Sequence, residues 1–317
     1  MKKLRVLSLF DGISTGRLAL ESLGIPVEYY TSEIDENAIA ISDYHYPDNI
    51  KLGDVTNVDF KSLGKIDLLI GGSPCTSFSI CGKRDGFEGE SKLFWEYVRA
   101  LKECQPKYFF LENVESMDAE AMEIISKEMG CYPYFLNSSI VSAQWRKRYY
   151  WFNFGKKKVK LLGLPTCYVP TPTDKHLVLA DILETPISVE REHIVHDKPV
   201  RLSEYEKSKG QAQRVYSMWG KSVCLNANGG GQGGKTGLYK IDTKDGYEIR
   251  KPTPIEAERL QCLPDDWTKY GIKNGKQVEI TPTNRYKAVG NGWTTDVITH
   301  IFQYLKMSLE QEDKIKS

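Results

Sequence analysis

No run of eighteen apolar residues occurs in the 317-residue chain, so a membrane-spanning helix is not expected. The opening stretch MKKLRVLSLFDG is too short in its apolar part for a secretory signal. It reads as a first strand in a cytoplasmic protein. Seven cysteines, an odd number with no CxxC spacing, indicate neither a disulfide framework nor a zinc site, and no metal is expected. Nor is there an excess of one charge. The net value of +1 gives no overall signature of a polyanion partner, although residues 156–250 hold 16 Lys/Arg against 11 Asp/Glu. That surplus sets a basic middle on an acidic body, which suits a phosphate-bearing ligand or an ordinary solvated surface equally well. The GxGxxG of dinucleotide folds is missing, and no internal repeat is evident.

What is present is alternation. LRVLSLF reads as a strand, TGRLALESLG as a helix with Leu18, Leu20 and Leu23 inward and Gly24 as its stop, and VEYYTSEI as a second strand. A helix from about Glu36 to Tyr44 follows, then the apolar run Ile66 to Ile70, stopped by Gly71-Gly72. SKLFWEYVRALKEC is helical, with Leu93, Tyr97 and Leu101 on one face and Ser91 as its cap. PKYFFLENV is a strand, 118–129 a helix, and YFLNSSIV and RYYWFNFG are further strands. Such alternation predicts an α/β fold, a doubly wound and mostly parallel sheet with helices on both faces. Near residue 165 prolines enter and the periodicity fades, and glycines later cluster in NANGGGQGGKTG. We expect a first domain over 1–170, a smaller irregular or β-rich domain over 171–284, and a segment over 285–317 that resumes helical spacing and returns to the first domain.

Chemistry-bearing residues fall at strand ends. FDGISTG follows the first strand and opens the first helix, where backbone N–H groups face a ligand. Glu33 ends the second strand 21 residues after Gly12, where a carboxylate can hold ribose hydroxyls. Asp54 follows the third strand and could accept from an adenine amino group. Together they suggest an adenosine-containing cofactor other than NAD. Cys75 lies just past the C-terminal end of a buried strand, where open α/β sheets bind ligands. A buried, apolar packing thiol is the competing reading.

The segments FDGISTG, SEID, GDV, GGSPCTSFS, FFLENV, QWRKRYYW, RKPTPIEAERLQCLPDDW and RYKAVGNGW stand in an order and spacing that resembles the DNA cytosine-5 methyltransferase family over nearly the whole chain. The early motifs are also similar to those of vertebrate de novo enzymes, and the later ones to bacterial modification enzymes. The resemblance implies a Rossmann-like fold using S-adenosylmethionine, with double-stranded DNA as partner. It implies Cys75 as the nucleophile that adds to cytosine C6, Glu112 at the N3 edge, Arg148 at O2 and Arg146 assisting around the ring. The cofactor would meet Phe10, Asp11, Gly12, Ile13, Ser14, Thr15, Glu33, Ile34, Asp54, Val55, Pro74, Leu93 and Asn291. Ile34 stands where many relatives have a tryptophan, and GNGW replaces the commoner GNSV. The other cysteines, Cys104, Cys131, Cys167, Cys224 and Cys262, are expected to be structural.

A stacked cytosine hides C6, so the base must leave the duplex. The segment 79–90, with Gly82, Gly86 and Gly89 as hinges, is expected to close over it. Cys81, Lys83 and Arg84 would then lie at the DNA. Residues 210–239 resemble the recognition segment of a GCGC-specific member of the family. That likeness implies Gln211 entering the vacated space, Arg214 reading a guanine, and Gly231 near the bases. A short target containing CG or GC is expected, read by a monomer, with a restriction endonuclease as a genetic rather than physical partner. A tRNA-acting branch shares the chemistry, but its Cys-Phe-Thr tripeptide is missing here. A catalytically silent DNA-binding homologue usually lacks the Pro-Cys or the Glu of ENV, and this chain has both.

Overall fold

Short apolar runs bounded by glycine, proline or acidic residues leave little choice but a sheet buried on both faces. The computed structural model describes residues 3–73, 93–159, 163–184, 196–227 and 232–316. Its first half contains β1 (Leu4–Leu9), α1 (Thr15–Ser22), β2 (Val27–Ser32), α2 (Glu36–His45), β3 (Ile50–Lys51) and β4 (Leu68–Gly71). These are followed by α3 (Phe94–Cys104), β5 (Tyr108–Val114), α4 (Ala119–Met129), β6 (Tyr134–Asn137) and β7 (Lys147–Phe152). All seven strands form one sheet in the order β3-β2-β1-β4-β5-β7-β6. β7 alone runs against its neighbours. The sheet is therefore doubly wound and mostly parallel, as expected, and its order reverses between β1 and β4.

Alternate residues of each strand feed opposite faces. Val6, Leu68, Ile70 and Phe110 pack with Leu20 of α1 on one side. Leu7, Leu9, Leu69 and Leu111 pack with Phe94 and Tyr97 of α3 and Ile125 of α4 on the other. Some boundaries differ from expectation for local reasons. Gly71 is the last residue of β4, paired with Leu9 and Leu111, and the strand stops one residue later than predicted. β6 ends at Asn137 because that side chain accepts from the Ser139 amide and turns the chain into a 3-10 turn. Ser91, the expected cap, lies outside the described residues; α3 begins at Phe94 after Leu93, with no side-chain cap.

The second half adds a hairpin of β8 (Lys156–Lys158) and β9 (Thr166–Tyr168), then a three-stranded sheet of β10 (Val215–Ser217), β11 (Leu238–Thr243) and β12 (Gly246–Arg250). Next come α5 (Pro254–Leu260), a hairpin of β13 (Tyr270–Lys273) and β14 (Lys276–Glu279), α6 (Pro282–Asn291) and α7 (Thr295–Lys316). α5 starts with a capping box, Thr253 and Glu256 satisfying each other's backbone donors. α7 buries Val297, Ile301 and Leu305 completely and packs on α1. β13 packs on α2, and a third cluster joins Ile41 and Tyr46 to Leu225, Tyr239, Leu260, Trp267 and Val289. No helix among the described residues is long and apolar enough to cross a membrane.

Candidate active site

The reversal of strand order between β1 and β4 opens a crevice at their C-terminal ends, the place where such sheets bind ligands. Around it the β1–α1 turn is unusual. Phe10, Gly12 and Ser14 all have φ near +60°, and two of the three carry a Cβ that disfavours this conformation. The alternation folds FDGIS into a tight loop leading into α1. The Glu33 carboxylate crosses that loop: one oxygen accepts from the Gly12 amide at 2.8 Å, the other from the Ile34 and Asp35 amides at 2.8 and 2.9 Å. Ser32 Oγ donates to the Gly53 carbonyl at 2.7 Å, which holds Asp54 next to the end of β2. Asp54 is exposed and caps the following turn through Thr56, whose two donors hold its carboxyl below the ordinary range. Ile34 is 69% exposed, an apolar surface beside an acid.

Asp11 differs from both acids. It is buried, accepts from Ser14 Oγ at 2.5 Å and Tyr29 Oη at 3.0 Å, and burial lifts its pKa to about 6. With Gly12, Thr31, Glu33 and Gly53 it lines a cavity of about 130 Å³. Thus Asp11, Gly12, Ser14, Glu33 and Asp54 follow the ends of three adjacent strands. Ile13 and Thr15 are buried, Val55 lies in the cluster under α3, and Phe10 and Leu93 pack against that cluster. Asn291 is exposed at the end of α6.

A second group gathers at the ends of β4, β5 and β7. Glu112 is 9% exposed and its Oε1 forms an ion pair with Arg148 Nε at 2.7 Å. Strand pairing makes this contact possible: Arg148 lies opposite Val114, two residues beyond Glu112 on β5. Arg146, 4% exposed, donates to the Gly290 and Gly292 carbonyls at 3.3 and 2.9 Å, a cation at the C-terminal end of α6. Asn113 Nδ2 donates to the carbonyl and hydroxyl of Ser73 at 3.5 and 3.3 Å, fixing the chain as it leaves β4. Pro74, Cys75, Cys81, Lys83, Arg84 and the rest of the 79–90 segment lie outside the described residues.

Five further residues contribute, and for Gly72, Gln144, Gln261 and Cys224 the sequence carried no site signal. Trp293 packs edge-on against Phe110, with centroids 5.4 Å apart. A Cβ at Gly72 would lie 2.9 Å from Trp293 Nε1 and 3.1 Å from Glu112 Oε2, so only glycine admits both groups there. Gln144 and Gln261 hydrogen-bond to each other at 3.2 Å. Gln261 also donates to the Val289 and Gly292 carbonyls, while Gln144 accepts from the Leu225 amide at 3.0 Å. Finally, Cys224 Sγ accepts from Arg146 Nη1 at 3.4 Å and Arg148 Nη2 at 3.9 Å, so a thiol expected to be merely structural touches both arginines.

In the 196–250 region, Gln211 is exposed in a 3-10 turn ending at Arg214. Arg214 is partly buried, and its Nε has no hydrogen-bond partner among the described residues. Gly231 lies outside the described residues. Lys221, one of the positive charges of the basic middle, is internal. It is 2% exposed and donates to the Ser139 and Ser142 carbonyls at 2.5 and 3.3 Å, so it fastens this region to the sheet rather than facing solvent.

The seven-stranded order β3-β2-β1-β4-β5-β7-β6 with β7 antiparallel is that of the S-adenosylmethionine-dependent methyltransferase fold. The same fold occurs in the Dnmt2 methyltransferase of S. pombe, whose crystal structure superposes with a TM-score of 0.68 at 19% identity, covering 97% of this chain and 99% of that one. The methyltransferase EhMeth of Entamoeba histolytica superposes with a TM-score of 0.69 at 17% identity, covering 98% and 99%. The profile of the C-5 cytosine-specific DNA methylase family matches residues 4–307, and the chain belongs to that family. The type II methyltransferase M.HhaI of Haemophilus parahaemolyticus is 30% identical, with 96% of this chain and 94% of that protein covered. M.Bsp6I of Bacillus sp. (strain RFL6), another type II methyltransferase, is 28% identical over 96% and 99%. The enzyme is a DNA cytosine-5 methyltransferase, and its methyl donor is S-adenosylmethionine.

Proposed function

We propose that this enzyme methylates C5 of a cytosine flipped out of a short, specific duplex DNA sequence, through a covalent bond between Cys75 and cytosine C6. The observation that carries the reading is the Glu112–Arg148 ion pair next to Gly72 at the end of β4. Cytosine C5 is a poor nucleophile until something adds at C6, and a thiolate is suited to that addition. Glu112 would share a proton with N3, so that charge entering the ring is neutralised as it forms. Arg148, already paired with Glu112, would donate to O2, and Arg146 would support it. When bound, S-adenosylmethionine supplies an electrophilic methyl group. After transfer a base removes the C5 proton and the thiolate departs.

The residues at the strand ends suit the donor. Glu33, tied to the Gly12 amide, would hold the ribose hydroxyls; Ile34 offers an apolar face for adenine; Asp54 keeps an exposed carboxylate for its amino group. Arg214, whose Nε is left unpaired, would read a guanine, with Gln211 entering the space the cytosine leaves. The likeness to two type II methyltransferases supports a reading in which a restriction endonuclease is a genetic partner and the methyltransferase acts as a cytoplasmic monomer.

Transfer of a tritiated methyl group to duplex DNA and to tRNA tests the reading. Label in DNA, located at C5 of cytosine in one short sequence by bisulfite sequencing, is the expected result. Label in tRNA alone would overturn it.

A further inference from the structure

Among the described cysteines, Cys104, Cys131, Cys167 and Cys262 lie in surroundings that push their thiols up, to about 11 for Cys104 and about 12 for Cys131 and Cys262. Burial is the main cause in each. Cys224 is the exception. Burial acts on it too, but the positive charges of Arg146 and Arg148 outweigh it and hold the thiol below its usual value. Its geometry is equally distinctive. The sulfur accepts from Arg146 Nη1 at 3.4 Å and Arg148 Nη2 at 3.9 Å, while its own proton points to the Leu225 carbonyl at 3.4 Å. Arg146 also donates to that carbonyl at 3.3 Å.

Two like-charged guanidinium groups held close together repel, and an acceptor shared between them offsets part of that repulsion. Carbonyls of residues 225, 290 and 292 hold Arg146. Arg148 is ion-paired to Glu112 through Nε, donates to the Lys147 carbonyl through Nη1, and turns Nη2 to the sulfur. The sulfur is therefore one of the contacts that fix the plane of the guanidinium, alongside Glu112 and the Lys147 carbonyl. Cys224 arrives on the chain just after Ser222, whose amide bonds to the Ala143 carbonyl, and just before Leu225, whose amide bonds to Gln144. It is thus carried by the segment that leads into the glycine cluster of the recognition region, and it touches the arginines of the sheet.

We infer that Cys224 is a positioning residue for methyl transfer: its sulfur holds Arg146 and Arg148 in the orientation that presents Arg148 to Glu112. This inference rests on the roles proposed for Glu112, Arg146 and Arg148.

The test compares the full-length wild type with Cys224→Ala, Cys224→Val and Cys224→Ser in steady-state methyl transfer to duplex DNA, with thermal melting alongside. Removing an acceptor from charged donors should lower kcat by about tenfold in Cys224→Ala, with KM for S-adenosylmethionine unchanged. Cys224→Ser retains an acceptor and should recover most of that loss, whereas Cys224→Val fills the space without one and should not. If the alanine variant does not fold, the comparison of serine with valine carries the test. Equal kcat in serine and valine overturns the inference, as does a wild-type kcat in alanine. Glu112→Gln separates the two levels. If it retains wild-type kcat, the reading of the site fails; if it is impaired while Cys224→Ala is not, only the role of Cys224 fails.

Discussion

Asp11 and Glu33 lie at the same strand ends, yet their surroundings give them different work. Glu33 accepts from three backbone amides, whereas Asp11 is enclosed and pushed up to about 6. In the unfolded chain an aspartate titrates near 4, so the folded protein binds the Asp11 proton more tightly. The associated stability is fully present below about pH 4 and lost as pH rises to about 6, roughly 2–3 kcal/mol as an upper figure. In Asp11→Asn this component should vanish. The difference in unfolding free energy between wild type and variant, followed by denaturant titration from pH 4 to 7, should move in the variant's favour. A difference independent of pH would show that Asp11 ionises normally. Glu33→Ala should weaken S-adenosylmethionine binding by about 1–2 kcal/mol in calorimetry, from the loss of charge-assisted hydrogen bonds to ribose. Unchanged affinity would move the ribose site elsewhere.

Between elements, two close approaches matter most. A Cβ at Gly290 in α6 would lie 2.7 Å from the Ala227 amide nitrogen and 2.9 Å from the Asn226 carbonyl carbon. Both are backbone atoms, so the segment after Cys224 would have to shift. Gly290→Ala should cost about 1–3 kcal/mol in thermal or denaturant unfolding. At Gly72 the neighbours are side chains, Trp293 and Glu112. Gly72→Ala should therefore reduce kcat by about 10–100-fold through misplacement of Glu112, with little change in melting temperature. A melting loss with intact kcat would reverse the assignment. These contacts also mark the limit of what sequence conveys. The strand-end motifs were legible because each is a local run that ends a strand or opens a helix: FDGIS, Glu33 and the acid of ENV. The alternation of apolar runs with helical stretches pointed to a mostly parallel, doubly wound sheet for the same reason, but not to its strand order. Cys224 and Arg146 are 78 residues apart, and Gln144 and Gln261 are 117 apart. Cysteine and glutamine carry no periodic signal, so their meeting depends on packing that no local pattern encodes.

At the scale of the molecule, one sheet carries two neighbouring groups of residues at its C-terminal edge. The amino-terminal strands present the acids suited to the donor, and β4, β5 and β7 present those suited to the base. The chain's second half contributes to both: α6 and its cap carry two of Arg146's three carbonyl partners, and α7 packs on α1, whose N-terminus bears the first turn. The central claim is that this arrangement serves attack by Cys75 on cytosine. Its most direct measurement uses duplex DNA in which cytosine is replaced by 5-fluorocytosine, incubated with the enzyme and S-adenosylmethionine, then denatured and mapped by peptide mass spectrometry. Fluorine at C5 cannot be removed as a proton, so the account predicts a denaturation-resistant protein–DNA adduct on the peptide containing Cys75. An adduct on any other cysteine, Cys224 included, or no adduct with an enzyme that methylates ordinary DNA, would contradict it.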